Sequence, residues 1–195
     1  MSDMGAETII VRSLTDSDFG IFTAHRKSTR SKQRAIAVTS PIARTLLSSQ
    51  LYDSGGTEMD VICAYGGIFN RERRHLGKVG KNWRLGGRKL EGSRFGFLDS
   101  KDFVVIRSVR DNDGSRPVLM TFVGRQMERL LHAGIGASIG PQFRDSVALI
   151  DSKNDLFPAL AGIFASVPPG VLLTDQAITV FGDDDLALHS TGSDG

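Results

Sequence analysis

Cys63 is the only cysteine in this chain of 195 residues, so no internal disulfide can form. A lone thiol within an apolar run reads as a small buried hydrophobe and fits a reducing, cytoplasmic setting. No stretch approaches the ~20 consecutive apolar residues that span a bilayer. The N-terminus also lacks the apolar centre of a signal peptide. The expectation is a soluble chain with no membrane partner. The four histidines and the cysteine show no metal-ligand spacing, so neither a metal nor a cofactor is expected. Acid is missing too: no Asp or Glu occurs between Phe19 and Tyr52.

Basic residues occupy that gap. His25-Arg26-Lys27-Ser28-Thr29-Arg30-Ser31-Lys32-Gln33-Arg34 forms one cluster, and Arg71 to Arg94 holds a second with Arg73, Arg74, Lys78, Lys81, Arg84, Arg88 and Lys89. The formal net charge of +2 hides this distribution. Residues 1–150 carry 23 Lys+Arg against 15 Asp+Glu, or +8, and residues 151–195 carry Lys153 against seven Asp, or −6. A basic body with an acidic end points to a polyanion as partner of the basic part, and nucleic acid is the leading candidate.

The length and a hydrophobic content of 40% suffice for one globular core and a small appendage. Short β-branched or alternating runs at Thr8–Val11, Ala35–Val38, Glu58–Tyr65, Lys81–Leu85, Asp102–Val109 and Pro117–Val123 read as strands. Glycine pairs or the Asp111-Asn112-Asp113-Gly114 turn separate several of them. Ser40-Pro41 opens a helix through Leu47, with Ser40 as cap and Pro41 at its first position. His25–Arg34 reads as a loop, Arg71–Gly80 as a basic stretch broken by glycine, and Gly124–His132 as a helix. Many short strands with short helices suggest an α+β chain, mainly β, built as a small barrel.

The order of these features resembles the DNA-binding pseudobarrel superfamily, which includes the plant B-three domain and the effector domain of EcoRII-type restriction endonucleases. Leu14-Thr15-Asp16-Ser17-Asp18-Phe19-Gly20 is similar to the opening motif of that superfamily. Ala35-Ile36-Ala37-Val38 running into Ser40-Pro41-Ile42-Ala43 is similar to its strand and helix entry. Trp83-Arg84 and Phe97-Leu98-Asp99-Ser100-Lys101-Asp102-Phe103-Val104-Val105-Ile106 complete the likeness, which covers roughly residues 8–123. Ser100 and Lys101 depart from the plant pattern, which has a small residue and then glycine. The long basic segment before Ala35 looks more like the restriction-enzyme branch. The resemblance implies an open seven-stranded barrel over residues 8–123. Residues 124–182 would be a C-terminal extension packing on the barrel or forming an oligomer surface, and 183–195 a flexible tail. It also implies two arms gripping the major groove of double-stranded DNA, formed by His25–Arg34 and by the region Arg71–Arg88. The corresponding role is a transcription regulator or the target-sensing part of a restriction or defence system, alone, as a homodimer or with a partner protein. Reading of modified bases is compatible with that role.

In such arms Lys and Arg meet phosphates while small hydroxyl residues permit close approach, which suits His25, Arg26, Lys27, Ser28, Thr29, Arg30, Ser31 and Lys32. Base readout needs planar forks, for which Gln33, Arg34, Asn82 and Arg84 are candidates beside the cations Arg71, Arg73, Arg74, Lys78, Lys81 and Arg88. Trp83 reads as core rather than as a base-stacking residue. No Glu-x-Lys of the restriction-nuclease type occurs, and Gly134–Gly140 lacks the Gly-Lys-Ser/Thr ending of a phosphate loop. The chain therefore reads as non-catalytic. Two alternatives stand beside DNA binding. One is a protein-interaction or dimerisation module with an acidic end. The other is a nuclease holding a metal at Asp183-Asp184-Asp185.

Overall fold

The computed structural model describes residues 8–166 except 26, 28–29, 48, 66–67, 87–89, 91–92 and 109–117. Eight strands form one curled, mixed sheet, a half-barrel with a few short helices. They are β1 (Thr8–Ser13), β2 (Ala35–Val38), β3 (Gly56–Tyr65), β4 (Ile68–Val79), β5 (Asn82–Gly86), β6 (Phe103–Ser108), β7 (Val118–Val123) and β8 (Val147–Asp151). The helices are α1 (Ser40–Leu46), α2 (Ser49–Asp53), α3 (Arg129–Gly134) and α4 (Phe157–Gly162).

The sheet order is β2-β5-β4-β3-β7-β6-β1-β8. Two antiparallel blocks, β2-β5-β4-β3 and β7-β6-β1-β8, meet at the parallel pair of β3 with β7. The seam is short, running from Val61↔Val118 to Cys63↔Met120. The two blocks differ in burial. One core lies on the inner face and gathers Ile10, Leu14, Phe22, Ile36, Ile42, Trp83, Leu85, Val104 and Phe122. A second core covers the opposite face at β1, β3, β6, β7 and β8, where Ile9, Val11, Ile62, Phe103, Val105 and Ile150 meet Ile135, Ile139, Leu160 and Phe164. Strands buried on both faces need continuous apolar runs rather than alternation, and β7 is buried along its whole length. At β5 the burial alternates instead, with Trp83 and Leu85 inward and Asn82 and Arg84 turned away.

Several expectations need correction. The stretch Arg71–Gly80, expected as a glycine-broken part of a gripping arm, is regular strand: its first nine residues belong to the 12-residue strand β4, which pairs with β3 from Ile68 to Gly77. Its charges are tolerated because acids on the same sheet neutralise part of them. Arg71 Nη2 donates to Asp60 at 2.8 Å, and Arg74 Nη2 donates to Glu72 at 2.6 Å. The helix expected at Gly124–His132 begins only at Arg129, after a turn in which the Glu128 carboxylate accepts from the Gly124 N–H. Val147–Asp151 adds a strand that the pattern of glycines and prolines around it disguised. The backbone preceding α1 is extended at Thr39, one residue before the expected cap, and Pro41 lies in its first turn. Gly134–Gly140, where the expected pattern weakened, forms helical turns that bury Ile135 and Ile139 in the second core. No helix among the described residues is long and apolar enough to cross a membrane.

Candidate nucleic-acid interface

The first basic segment hangs from two anchored roots. At its start, Leu90 N–H donates to Ile21 O at 2.8 Å and Thr23 N–H donates to Leu90 O at 3.0 Å. At its end, β2 pairs with β5 in the register Ala35↔Gly86 to Val38↔Trp83. Residues 87–89 join Gly86 to Leu90 in the chain, so both roots of the first segment sit at the ends of the Gly87-Arg88-Lys89 connection. Arg26, Ser28, Thr29 and Arg88 lie outside the described residues.

Asp18 fixes these roots to the sheet. It is fully buried, and its carboxylate accepts from Arg12 Nη2 at 2.9 Å, Thr15 N–H at 2.9 Å, the Thr15 hydroxyl at 2.9 Å and Ala37 N–H at 3.3 Å. One carboxylate thus joins β1, the turn after it and β2. Gly20 completes the seat: a Cβ there would stand 2.2 Å from Gln33 O and 2.9 Å from Ser31 O. The returning leg of the basic segment rests directly on the glycine backbone.

Within that segment the side chains divide into two groups. Lys27, Arg30, Lys32 and Arg34 are exposed. Ser31 Oγ donates to Ser17 O at 2.8 Å, and Gln33 Nε2 donates to Ala35 O at 2.9 Å, so both brace the segment itself. His25 is half-buried; its Nε2 lies 2.8 Å from Phe95 O and its ring packs edge-on to Phe19 and Phe22. It serves as an anchor rather than as an exposed cation.

The second cluster is more heavily committed. Arg74 is 1% exposed and faces the inner core with Glu72. Arg71 and Arg73 both reach Asp60, at 2.8 and 3.5 Å. Burial works against the Asp60 charge, but the hydrogen bond and charge of Arg71, helped by Arg73, outweigh it and hold the carboxyl below its ordinary range. The Arg73 side chain is 72% exposed despite this contact. Lys78, Lys81 and Asn82 are exposed around the β4–β5 turn at Gly80, and Arg84 is half-buried on the outward face of β5. Trp83 is fully buried and stacks on Tyr52 at 4.9 Å, with the Arg44 guanidinium 4.9 Å from the centre of the Tyr52 ring.

Beside the first segment lies a cavity of about 760 Å³. The turn after β1 supplies Asp16, Ser17 and Phe19, and the basic segment supplies His25, Arg30 and Ser31. The turn before β6 closes it with Leu98, Asp99 and Ser100. Phe19 and Leu98 are buried beneath it, whereas Asp16, Asp99 and Arg30 are exposed around it. Sequence reasoning missed this site. Its signal was the presence of acids inside motifs that flank a cationic segment.

The expectation that Asp-x-Lys is missing along with Glu-x-Lys needs correction: it occurs twice, at Asp99-Ser100-Lys101 and Asp151-Ser152-Lys153. Among the described residues, no three His, Cys, Asp or Glu side chains gather closely enough to share a metal ion. Asp183-Asp184-Asp185 lies outside the described residues. Comparison with protein-family models and with curated proteins returned no match.

Proposed function

We propose that this chain binds double-stranded DNA sequence-specifically through its basic segments, with residues 8–123 as a pseudobarrel and 124–182 as its extension. It would act as a regulator or as the target-sensing component of a restriction or defence system. The observation that carries the reading is the joint anchoring of the two segments. An acid-free stretch with Lys27, Arg30, Lys32 and Arg34 exposed is rooted at Gly86 and at Leu90, the two ends of the Arg88-Lys89 connection. Fixed cations on a rigid root suit phosphate contact, and phosphate contacts set affinity and its salt dependence. The seven strands before residue 124, with short helices between them, support the barrel reading. Asn82, Arg84 and Arg34 stand as candidates for base contacts; Arg71 and Arg74, consumed by Asp60 and Glu72, do not.

The test is selection of bound duplexes from a random pool, with and without methylated cytosine or adenine, followed by affinity measurements across salt. Binding should fall linearly on a log–log salt plot. Neutralising Lys27, Arg30, Lys32 and Arg34 together should flatten the slope by about 0.9 for each phosphate that no longer meets a cation. Salt-independent binding, or an unchanged slope in that variant, refutes the proposal. A second reading, a protein-interaction module, draws on the exposed apolar pair Met127 and Leu130, the latter 90% exposed. Sizing the protein with and without duplex separates the two.

A further inference from the structure

We infer that the 760 Å³ cavity beside the first basic segment receives one nucleobase turned out of the DNA stack, with amine-bearing bases favoured over thymine. The inference rests on the DNA-binding proposal and adds to it a site with its own chemistry.

The charges at the site argue for it first. Asp16 and Asp99 stand exposed at the mouth of a cavity that also presents Arg30. Carboxylates repel phosphate and do not serve the holding of a backbone, although one Asp99 oxygen also accepts from Ser100 N–H at 2.7 Å. The groups of DNA that do suit an ionised carboxylate are the exocyclic amines of cytosine, adenine and guanine, which donate hydrogen bonds. Shape is the second argument. In an intact duplex the base edges lie roughly 8.5 Å deep in the major groove and are reached by protein segments that protrude. A hollow cannot enter a groove, but a base that leaves the stack can enter a hollow.

The interior matches a flat heterocycle. Phe19 and Leu98 form an apolar floor, and the His25 ring, held edge-on to Phe19 with centroids 4.7 Å apart, gives a planar wall. The volume lies within the roughly 300–1,000 Å³ usual for small-ligand sites and leaves room for the sugar. The walls are also built before any ligand arrives. Ser31 is tied to Ser17, Asp99 N–H donates to the buried Asp102, and Lys101 N–H donates to Leu14 O at 3.0 Å. In the complex, Arg30 would meet a flanking phosphate while Asp16 and Asp99 accept from the base amine.

The experiment compares a matched duplex with one carrying a central A·C mismatch, and places 2-aminopurine at the mismatched position to report unstacking. Extrusion costs less from a mismatch, so the mismatched duplex should bind about tenfold tighter and the 2-aminopurine signal should rise on binding. Ser100→Trp, which fills the cavity, should abolish both the preference and the rise; the salt slope of this variant on matched duplex reports whether the basic segments still engage. The paired change Asp16→Asn and Asp99→Asn, on exposed side chains, should weaken the preference for adenine over thymine at the mismatch and serves if the tryptophan variant fails to fold. Salt-dependent binding with neither mismatch preference nor fluorescence rise overturns the inference and leaves the DNA-binding proposal standing. Absence of binding to any duplex overturns both.

Discussion

Replacing Asp18 with alanine is the most informative perturbation of this fold. The carboxylate has no solvent exposure, and its removal strands several partners at once. Arg12, whose side chain is 6% exposed, keeps its charge without the counterion 2.9 Å away. Thr15 N–H is deprived of its acceptor, and so is Ala37 N–H, whose bond ties β2 to the turn after β1. Breaking a buried pair by removing one member costs about 3–5 kcal/mol, chiefly because the survivor is left buried and uncompensated. For a chain of this length each kcal/mol lowers Tm by roughly 2–4 °C, so the expected fall is roughly 6–20 °C. Thermal unfolding followed by circular dichroism measures the fall, and a denaturant titration measures the free-energy cost. The double variant Arg12→Leu with Asp18→Leu sharpens the test, because removing both charges should recover much of the stability. A single-variant cost below about 1 kcal/mol, or a double variant no better than the single, would falsify the assignment of Asp18 as the electrostatic anchor.

Three further perturbations address separate parts of the structure. Lys101 adopts a φ of 74° in the turn before β6; Lys101→Gly should raise stability by roughly 0.5–1 kcal/mol in denaturant titration, and a decrease would show that the lysine side chain outweighs the backbone strain. Gly20→Ala would drive a methyl group into Gln33 O and Ser31 O; it should cost about 1–3 kcal/mol and, on the proposed function, weaken duplex binding, with full retention of both speaking against the seat described for the basic segment. Burial, opposed by its bond from Gly124 N–H and reinforced by Asp102, raises the Glu128 carboxyl above its ordinary value near 4.5. The folded state therefore holds that proton more tightly than the unfolded chain, and the associated stability is present in acid and lost as pH climbs through the raised pKa. Glu128→Gln should match the parent in acid and exceed it in Tm at neutral pH; a difference that does not change with pH would contradict the reasoning.

Local sequence carried the strands wherever periodicity or apolar content was strong. Ala35–Val38, Asp102–Val109 and Pro117–Val123 lie within a residue or so of β2, β6 and β7 where those strands are described, and Trp83 and Cys63 are buried as their apolar neighbours implied. The errors arose where tertiary partners decide the outcome. Arg71–Gly80 reads as a soluble cationic stretch because Asp60 and Glu58, its cross-strand partners, lie more than ten residues earlier; only the register Asp60↔Arg73 and Glu58↔His75 turns the charges into a ladder. Beside it in sequence, among the described residues, the strand Val147–Asp151 has only the single antiparallel bridge Arg144↔Val147. It pairs with β1, at the opposite end of the described chain, and nothing local signals so distant a pairing.

That difference changes what the charge distribution means. Counted from sequence, the two basic clusters looked equivalent. In the fold, Arg74 is internal and Arg71 and Arg73 share Asp60, so much of the second cluster serves the sheet before it can serve a ligand. Lys27, Arg30, Lys32 and Arg34 stand exposed in a stretch without a single acid. A polyanion approaching this molecule would therefore feel an asymmetric grip, strongest at the first segment and weaker at the β4–β5 turn, where Lys78 and Lys81 are exposed. The asymmetry has a measurable form: removing the cations of the first segment should change the salt slope more than removing Lys78 and Lys81, in proportion to the number of phosphates each set meets. Equal effects from both sets would mean that Lys78 and Lys81 meet as many phosphates as the four cations of the first segment, and that the grip is not asymmetric.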